Sequence, residues 1–211
     1  MAGAGGEAVG DPPWVWDLPA GFPVPKVPVD NPMTAAKVEL GRHLFYDVRM
    51  SANQTQSCAS CHQQALAFTD GRAQAVGSTG EVHPRSAMAL GNVAYSVSLT
   101  WASPLLRELE PQALVPMFGT TPVELGMDGK DAELLSRLES EPVYGPLFAA
   151  AFPDEQDPIT IENVTRALST FQRTLISGGS PFDRYAFGDE PDALSESAER
   201  GLDLFNSSRL R

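Results

Sequence analysis

The chain has 211 residues, 42% of them hydrophobic, and its 27 acidic and 15 basic side chains give a formal charge of -12. This length and apolar content predict one large or two small packed domains and argue against a disordered chain. The acidic balance, with no basic run, argues against nucleic-acid binding and favours basic protein partners. No apolar run is long enough to span a membrane, and the first residues show no secretory signal.

Residues 1–32 hold seven prolines, which disfavour helix at each proline and at the residue before it. We therefore expect an extended, Pro-rich arm over residues 1–32. The first helix is expected to begin at Asn31-Pro32, where a capping residue precedes a proline, and to run to about Tyr46. Residues at helical spacing form its buried side. They are Met33, Lys37 (through its aliphatic stem), Leu40, Leu44 and Phe45.

The only two cysteines of the chain are Cys58 and Cys61, and His62 follows directly. A disulfide between them would close a very small loop and stabilise little. A thioredoxin-like redox pair would need a βαβ pattern, which the sequence lacks. Structural zinc would need four ligands, and His43 and His83 do not stand at the spacing of a zinc finger. The C-x-x-C-H sequence is instead the attachment signature of c-type haem.

Covalent haem also explains the spacing of this motif. Two thiols three residues apart lie on one side of a helical turn, where both can add to the vinyl groups of one haem. We therefore predict one covalently bound haem c in this chain, with His62 as the proximal iron ligand. Because haem c is attached outside the cytoplasm, the motif also predicts a periplasmic protein whose export signal is missing from the sequence.

Two functions remain open for a haem c domain. An electron carrier usually has a sixth iron ligand, whereas a catalyst leaves that side of the iron open and surrounds it with polar groups that handle protons. The candidate sixth ligands are Met88, Met117, Met127 and His83. His83 itself lies in a polar, Gly-rich segment, residues 69–86, which predicts a long surface loop.

By spacing alone, three further polar or aromatic residues have ordinary explanations. Gln112 follows Pro111 and is typical of a solvated first helical turn. Glu124 closes the sequence Thr121-Pro-Val-Glu124, a capping box that predicts a helix start. Trp101 is typical of a core or interface aromatic residue.

The remaining sequence predicts helices. One covers Asp131–Ser140, a longer one runs from a cap at Thr160 to a stop at Gly178-Gly179, and a last one follows Ser195. No strand alternation occurs, so the pattern predicts a mainly α fold with long loops. The apolar face of the last helix has no later segment to pack against, and we therefore expect the sequence to be truncated.

The chain resembles the N-terminal part of the bacterial di-haem cytochrome c peroxidase/MauG family from about Asn31 onward, in "ELGRHLFYDVRMSANQTQSCASCH", "HPRSAMALGNVAY", "EPQALVPMFGTTPVELGM" and "RALSTFQRTLISGGSPFDRYAFGD". It is most similar to the MbnH-like branch in "WVWDLPAGFPVPKVPVDNPM" and "VGSTGEVHPRSAMALGNVAY". The resemblance implies a cytochrome c-like helical domain over residues 33–178. Residues 179–211 would then be a connector and the first helix of a second cytochrome c-like domain, whose own C-x-x-C-H this sequence does not contain.

The resemblance also implies roles for individual residues. Cys58 and Cys61 would hold the haem that reacts with peroxide, and His62 would be its proximal ligand. Gln112 and Glu124 match polar residues on the open side of that haem. Glu124 would shuttle a proton as the O–O bond of peroxide breaks.

Four more positions match the family pattern. Pro116 matches a wall of the same pocket, and Trp101 matches a tryptophan between the two haems. Asn92 matches a calcium ligand in that region, and His83 falls near a histidine that reversibly binds the iron in related peroxidases. The intervals from Trp101 to Gln112 and from Gln112 to Glu124 are slightly longer than is usual in the family, which leaves the loop geometry open.

The implied function is a periplasmic c-type haem oxidoreductase that uses hydrogen peroxide, with a second haem in the full-length protein and calcium as a further cofactor. Its electrons would come from a small cytochrome or copper protein, or from a tryptophan that it oxidises on a partner protein. The alternative is an electron-transfer cytochrome c whose six-coordinate haem does not react with peroxide.

Overall fold

A computed structural model describes residues 13–100 and 103–210. Within these ranges the chain forms helices and three isolated β-bridges but no strand, which confirms the predicted mainly α fold. None of the helices in these ranges is long and apolar enough to cross a lipid bilayer. The helices are α1 (Ala35–Tyr46), α2 (Cys58–Cys61), α3 (Leu109–Phe118), α4 (Asp131–Ser140), α5 (Tyr144–Ala151), α6 (Ile161–Arg173), α7 (Pro181–Phe187) and α8 (Glu196–Asn206).

The described residues form two compact units. The first contains residues 13–15 and 25–175 and therefore α1 to α6, whereas the second combines residues 16–24 with 176–210 and contains α7 and α8. In the second unit the arm lies against the connector, because a Cβ at Gly178 would meet Pro19 at 2.5 Å. The domain limits at residues 32 and 178 stay predictions.

The core of the first unit is built around α6, which packs against α1 and α3, while α1 also packs against α5. Leu40 and Leu44 of α1 and Val164 of α6 have no exposed surface. The same cluster extends into the other helices through Met117, Leu134, Leu138, Tyr144 and Phe148. This packing fixes α3 and α6 relative to α1, and the loops between them enclose the cavity described below.

The start of α1 differs from the prediction. The helix begins at Ala35, and Thr34 caps it by accepting a hydrogen bond from the Lys37 amide at 3.1 Å. Asn31 is not the cap, because its buried side chain donates to Glu110 and to the carbonyl of Arg166. The five residues predicted for the inner side of this helix are all buried, as expected.

The predicted starts of α4, α6 and α8 are confirmed, whereas the sequence did not predict α5 or α7. The helix α4 has the predicted bounds, and Thr160 caps α6 by accepting a hydrogen bond from the Asn163 amide at 3.1 Å. Ser195 caps α8 by accepting one from the Ala198 amide at 3.3 Å. The helix α6 ends at Arg173, before the Gly178-Gly179 pair.

Gly41 lies where α1 packs on α6, and a Cβ at this position would be 2.0 Å from the carbonyl oxygen of Ala167. G41A is therefore expected to force the helices apart and to lower the free energy of unfolding by about 1–3 kcal/mol. Gly145 in α5 is the matched control, since no atom lies within 4 Å of a Cβ built there. G145A should be neutral or stabilising by up to about 1 kcal/mol in denaturant unfolding. Equal stabilities of the two variants would contradict this packing.

Candidate functional site

A cavity of about 250 Å³ lies in the first unit, between α2, α3, α6 and the loop that follows the cysteine motif. The structure brings most of the sequence-predicted site residues to its wall. Asn92 does not line it, although the neighbouring Val93 does, and Trp101 lies outside the described residues. The predicted residues that line the cavity are Cys58, Cys61, His62, His83, Gln112, Pro116 and Glu124.

The short helix α2 presents both cysteine thiols at the cavity. Two hydrogen bonds of 3.0 Å hold its first turn. The Ser57 amide donates to the Ser60 hydroxyl, and the Ser60 amide donates to the Ser57 carbonyl. Both thiols are free rather than joined in a disulfide. Burial raises the pKa of Cys58 to about 12 and also raises that of Cys61. Residues 13–100 and 103–210 contain no strand and hence no βαβ unit, so these thiols do not fit a thioredoxin-like role.

His62 follows α2 and is held by backbone groups. Its Nδ1 lies 2.9 Å from the carbonyl oxygen of Phe68. Burial lowers the pKa of His62, which favours the neutral imidazole that binds metals. A hydrogen bond from Nδ1 to a carbonyl assigns Nε2 as the nitrogen for a metal, a common arrangement of metal-binding histidines.

A tight turn aims the Phe68 carbonyl at His62. Ala67 and Phe68 both have left-handed backbone conformations, with φ of 55° and 59°. The Phe68 amide donates to the Gln63 carbonyl at 2.8 Å, and its ring packs on Phe45 with centroids 6.3 Å apart. Left-handed non-glycine residues each cost about 1–2 kcal/mol, so packing and hydrogen bonds must hold this turn in place. No pattern in the sequence predicted this left-handed turn.

The helix α3 forms one wall of the cavity. Leu109, Gln112, Ala113, Pro116 and Met117 line it at the three- and four-residue spacing of one helix face. Gln112 is half-buried there. Gln112 is thus partly exposed to solvent, as spacing alone suggested, and it also lines the cavity.

Glu124 reaches the cavity from a loop that is pinned on both sides. Its carbonyl oxygen accepts a hydrogen bond from the Ser78 amide at 2.7 Å, and the next amide, that of Leu125, donates to the Pro116 carbonyl at 2.9 Å. The capping box expected from the sequence is wrong, because the next helix begins only at Asp131. Burial raises the pKa of the Glu124 carboxyl, and the charge of His83 opposes that effect.

His83 belongs to the loop over residues 69–86, which is mostly exposed, as predicted. Its amide donates to the Ala75 carbonyl at 2.8 Å, and its Nε2 lies 3.4 Å from the Val123 carbonyl oxygen. Gly77 allows this loop to approach the Glu124 loop, since a Cβ there would lie 1.9 Å from the Val123 carbonyl oxygen. Of the suggested sixth iron ligands, His83, Met88 and Met117 line the cavity, whereas Met127 does not.

Asn92 has a left-handed backbone with φ of 62°, and its amide donates to the Leu175 carbonyl at 2.7 Å. Across residues 13–100 and 103–210, no three His, Cys, Asp or Glu side chains are grouped closely enough to hold a metal ion. Calcium binding through Asn92 therefore stays a prediction.

The residues of the cavity fit a covalent c-type haem. Two free thiols stand on one helical turn, and a neutral imidazole follows them. Much of the remaining wall is apolar and comes from Phe45, Leu99 and Leu168. Such a combination suits a largely apolar ring that is attached at two points and ligated at its metal.

Comparison with known proteins agrees with this chemistry. The family model described as di-haem cytochrome c peroxidase matches residues 35–191. The chain is 41% identical over 187 residues to the methylamine utilization protein MauG of Methylorubrum extorquens, covering 89% of this chain and 50% of that protein. It is 37% identical over 188 residues to a cytochrome-c peroxidase of Pseudomonas sp. (strain SCT), covering 87% of this chain and 48% of that one.

A solved structure points to the same family. The chain superposes on a MauG-like protein associated with microbial copper homeostasis with a TM-score of 0.87 and 46% sequence identity, over 92% of this chain and 55% of that one. The chain thus spans about half the length of the relatives it matches. The residues matched by the family model include the C-x-x-C-H motif and the two polar cavity residues Gln112 and Glu124. The chain therefore belongs to the di-haem cytochrome c peroxidase/MauG family.

Proposed function

We propose that this chain carries the peroxide-reacting haem of a periplasmic di-haem oxidoreductase. Cys58 and Cys61 would form the thioether bonds, and His62 would bind the iron through Nε2. One observation carries the proposal: these three residues line the same cavity as Gln112 and Glu124. An attachment motif alone would equally suit an electron carrier, whereas a half-buried carboxyl and a side-chain amide that line the same cavity suit proton handling at a bound oxidant.

The haem would supply an iron centre that accepts electrons from, and delivers them to, bound molecules. The protein contributes proton handling and orientation. The raised pKa of Glu124 lets its carboxyl hold and release a proton closer to neutral pH than an ordinary glutamate can. Glu124 would take the proton from one oxygen of hydrogen peroxide and return it to the other, while the Gln112 amide would hold the peroxide by hydrogen bonds. Pro116, which lacks an amide hydrogen, would form an inert wall.

The remaining assignments extend the same proposal. We infer that the full-length protein holds a second haem, with Trp101 between the two and Asn92 as a calcium ligand. His83 would bind the iron reversibly. The reductant would be a small electron-transfer protein or a tryptophan on a partner. The sequence resemblance to the MbnH-like branch favours the partner-oxidising version. The net charge of -12 favours a basic docking surface on that partner.

The direct test is a denaturing gel of exported protein stained for haem-dependent peroxidase activity, because thioether-bound haem survives denaturation. We expect a stained band for the natural sequence and none for the double variant Cys58→Ala/Cys61→Ala. Addition of hydrogen peroxide to the native protein should then change its Soret absorbance. An unstained band from the natural sequence would refute the haem assignment.

A plain electron carrier is the second candidate, because His83, Met88 and Met117 line the cavity and each is a competent iron ligand. A stained band combined with a purely low-spin oxidised spectrum that does not respond to peroxide would select this function. A high-spin component that disappears on addition of peroxide would select the enzyme.

A further inference from the structure

Gln172 is a buried amide that neither the motif nor the proposed chemistry uses. It lies in the last turn of α6 with 7% of its surface exposed, and it lines the cavity together with Leu168 one turn earlier. Along this part of α6 the described side-chain hydrogen bonds come from Thr170 and Arg173 and none from the Gln172 amide, and the Gln172 backbone carbonyl accepts from the Leu175 amide at 3.1 Å. The amide is not among the buried side-chain atoms that are sealed off without a partner, so it reaches the open space of the cavity, where a polar group of a ligand could pair with it.

The other cationic and amide side chains near the cavity indicate what kind of ligand group could pair with Gln172. None of the described residues that line the cavity is Lys or Arg. The side-chain amide of Gln56 already donates to the Val76 carbonyl at 3.3 Å. The neighbouring Arg173 is occupied by Glu110, with hydrogen bonds of 2.7 and 2.8 Å. Gln172 is therefore a deeply buried neutral donor that remains available to a ligand in the cavity.

We propose that the Gln172 amide donates a hydrogen bond to a propionate carboxylate of the haem; this inference rests on the haem assignment made above. The propionates are the only strong hydrogen-bond acceptors on the edge of the porphyrin, and a buried carboxylate needs donors when no cation faces it. The opposite possibility, a contact with the oxidant, is less favoured because Gln112 and Glu124 already supply polar groups for that purpose.

The test uses the haem-loaded protein and two spectroscopic measurements rather than turnover. Gln172→Leu removes the donor and is expected to move the propionate bending band in resonance Raman spectra to lower frequency. It should also make the reduction potential of this haem more negative, because an unneutralised carboxylate favours the oxidised iron. Gln172→Asn, whose amide is one methylene shorter, should shift both quantities in the same direction by less.

Two controls separate this role from a general effect on folding. Ser169→Ala alters the same helix at a buried hydroxyl that has no partner in the structure and does not line the cavity. Gln56→Leu removes a lining amide that is already bonded to the protein. Neither should move the propionate band. An unchanged band and potential in Gln172→Leu would overturn the assignment, and so would an altered iron-ligand spectrum with an unchanged propionate band. Loss of covalent haem from the natural sequence would instead refute the proposed function.

Discussion

Replacing Glu124 with glutamine is expected to slow the reaction of the haem-loaded protein with hydrogen peroxide by about 10²- to 10⁴-fold, the usual contribution of a positioned proton donor and acceptor. Glutamine keeps the size of the side chain and its capacity for hydrogen bonds but cannot exchange a proton. The carboxyl is half-buried, and its loop is fixed by backbone bonds to Ser78 and Pro116. The structure of the site should therefore survive the change.

Stopped-flow absorbance after mixing with peroxide measures this rate. The resting spectrum and the thermal midpoint of Glu124→Gln should match those of the natural protein. Glu81→Gln is the matched control, because Glu81 is exposed, does not line the cavity, and accepts a hydrogen bond from the Val123 amide that glutamine can also accept. A natural rate in Glu124→Gln would remove the proton shuttle from the mechanism.

Local sequence signals predicted α1, α4, α6 and α8, but they indicated no helix at α5 or α7 and misread Glu124. The Thr121–Glu124 pattern is that of a capping box, yet Gly126 and Gly129 follow with φ of +73° and +66°, and the chain cannot become helical until Asp131. The backbone of Glu124 is held by Ser78 from a distant loop. Contacts between loops far apart in sequence have no local pattern, so only the family resemblance pointed to Glu124.

The buried polar face of α6 was missed for a related reason. Val164, Leu168 and Phe171 stand at helical spacing and form one apolar buried face of α6, but both α1 and α3 pack against this helix. Arg173, which bonds Glu110 of α3, is consequently buried with 4% of its surface exposed. Helical periodicity identifies an apolar face, whereas it cannot show that a polar face is covered by a helix from another part of the chain.

We expect the largest change in stability from breaking the ion pair between Arg173 of α6 and Glu110 of α3. Arg173 donates two hydrogen bonds to the carboxylate of Glu110, whose Oε1 also accepts from Asn31 at 2.7 Å. Glu110 lies in the first turn of α3, so this ion pair joins the cavity walls formed by α3 and α6. Arg173→Met would leave the carboxylate largely buried without its cation. We expect the free energy of unfolding to fall by about 3–5 kcal/mol at neutral pH.

Arg42→Met is the matched control, because Arg42 forms an ion pair with Glu39 in which both side chains are about half exposed. Exposed pairs contribute about 0–1 kcal/mol, so this variant should unfold close to the natural protein in urea. A similar loss of stability in both variants would show that burial does not distinguish the two pairs.

The pH dependence of the Arg173 effect follows from the pKa of Glu110. Burial alone would raise this pKa, but the hydrogen bonds from Arg173 and Asn31 lower it overall. A carboxyl with a lowered folded-state pKa stabilises the fold above its unfolded value of about 4.3, and that contribution is lost as the pH falls through the folded-state pKa. The stability difference between the natural protein and Arg173→Met should therefore be constant near neutral pH and shrink in acid. A stability difference that persisted after Glu110 had become protonated would contradict this explanation. It would mean that the packing of the Arg173 side chain, rather than its charge, holds α3 against α6.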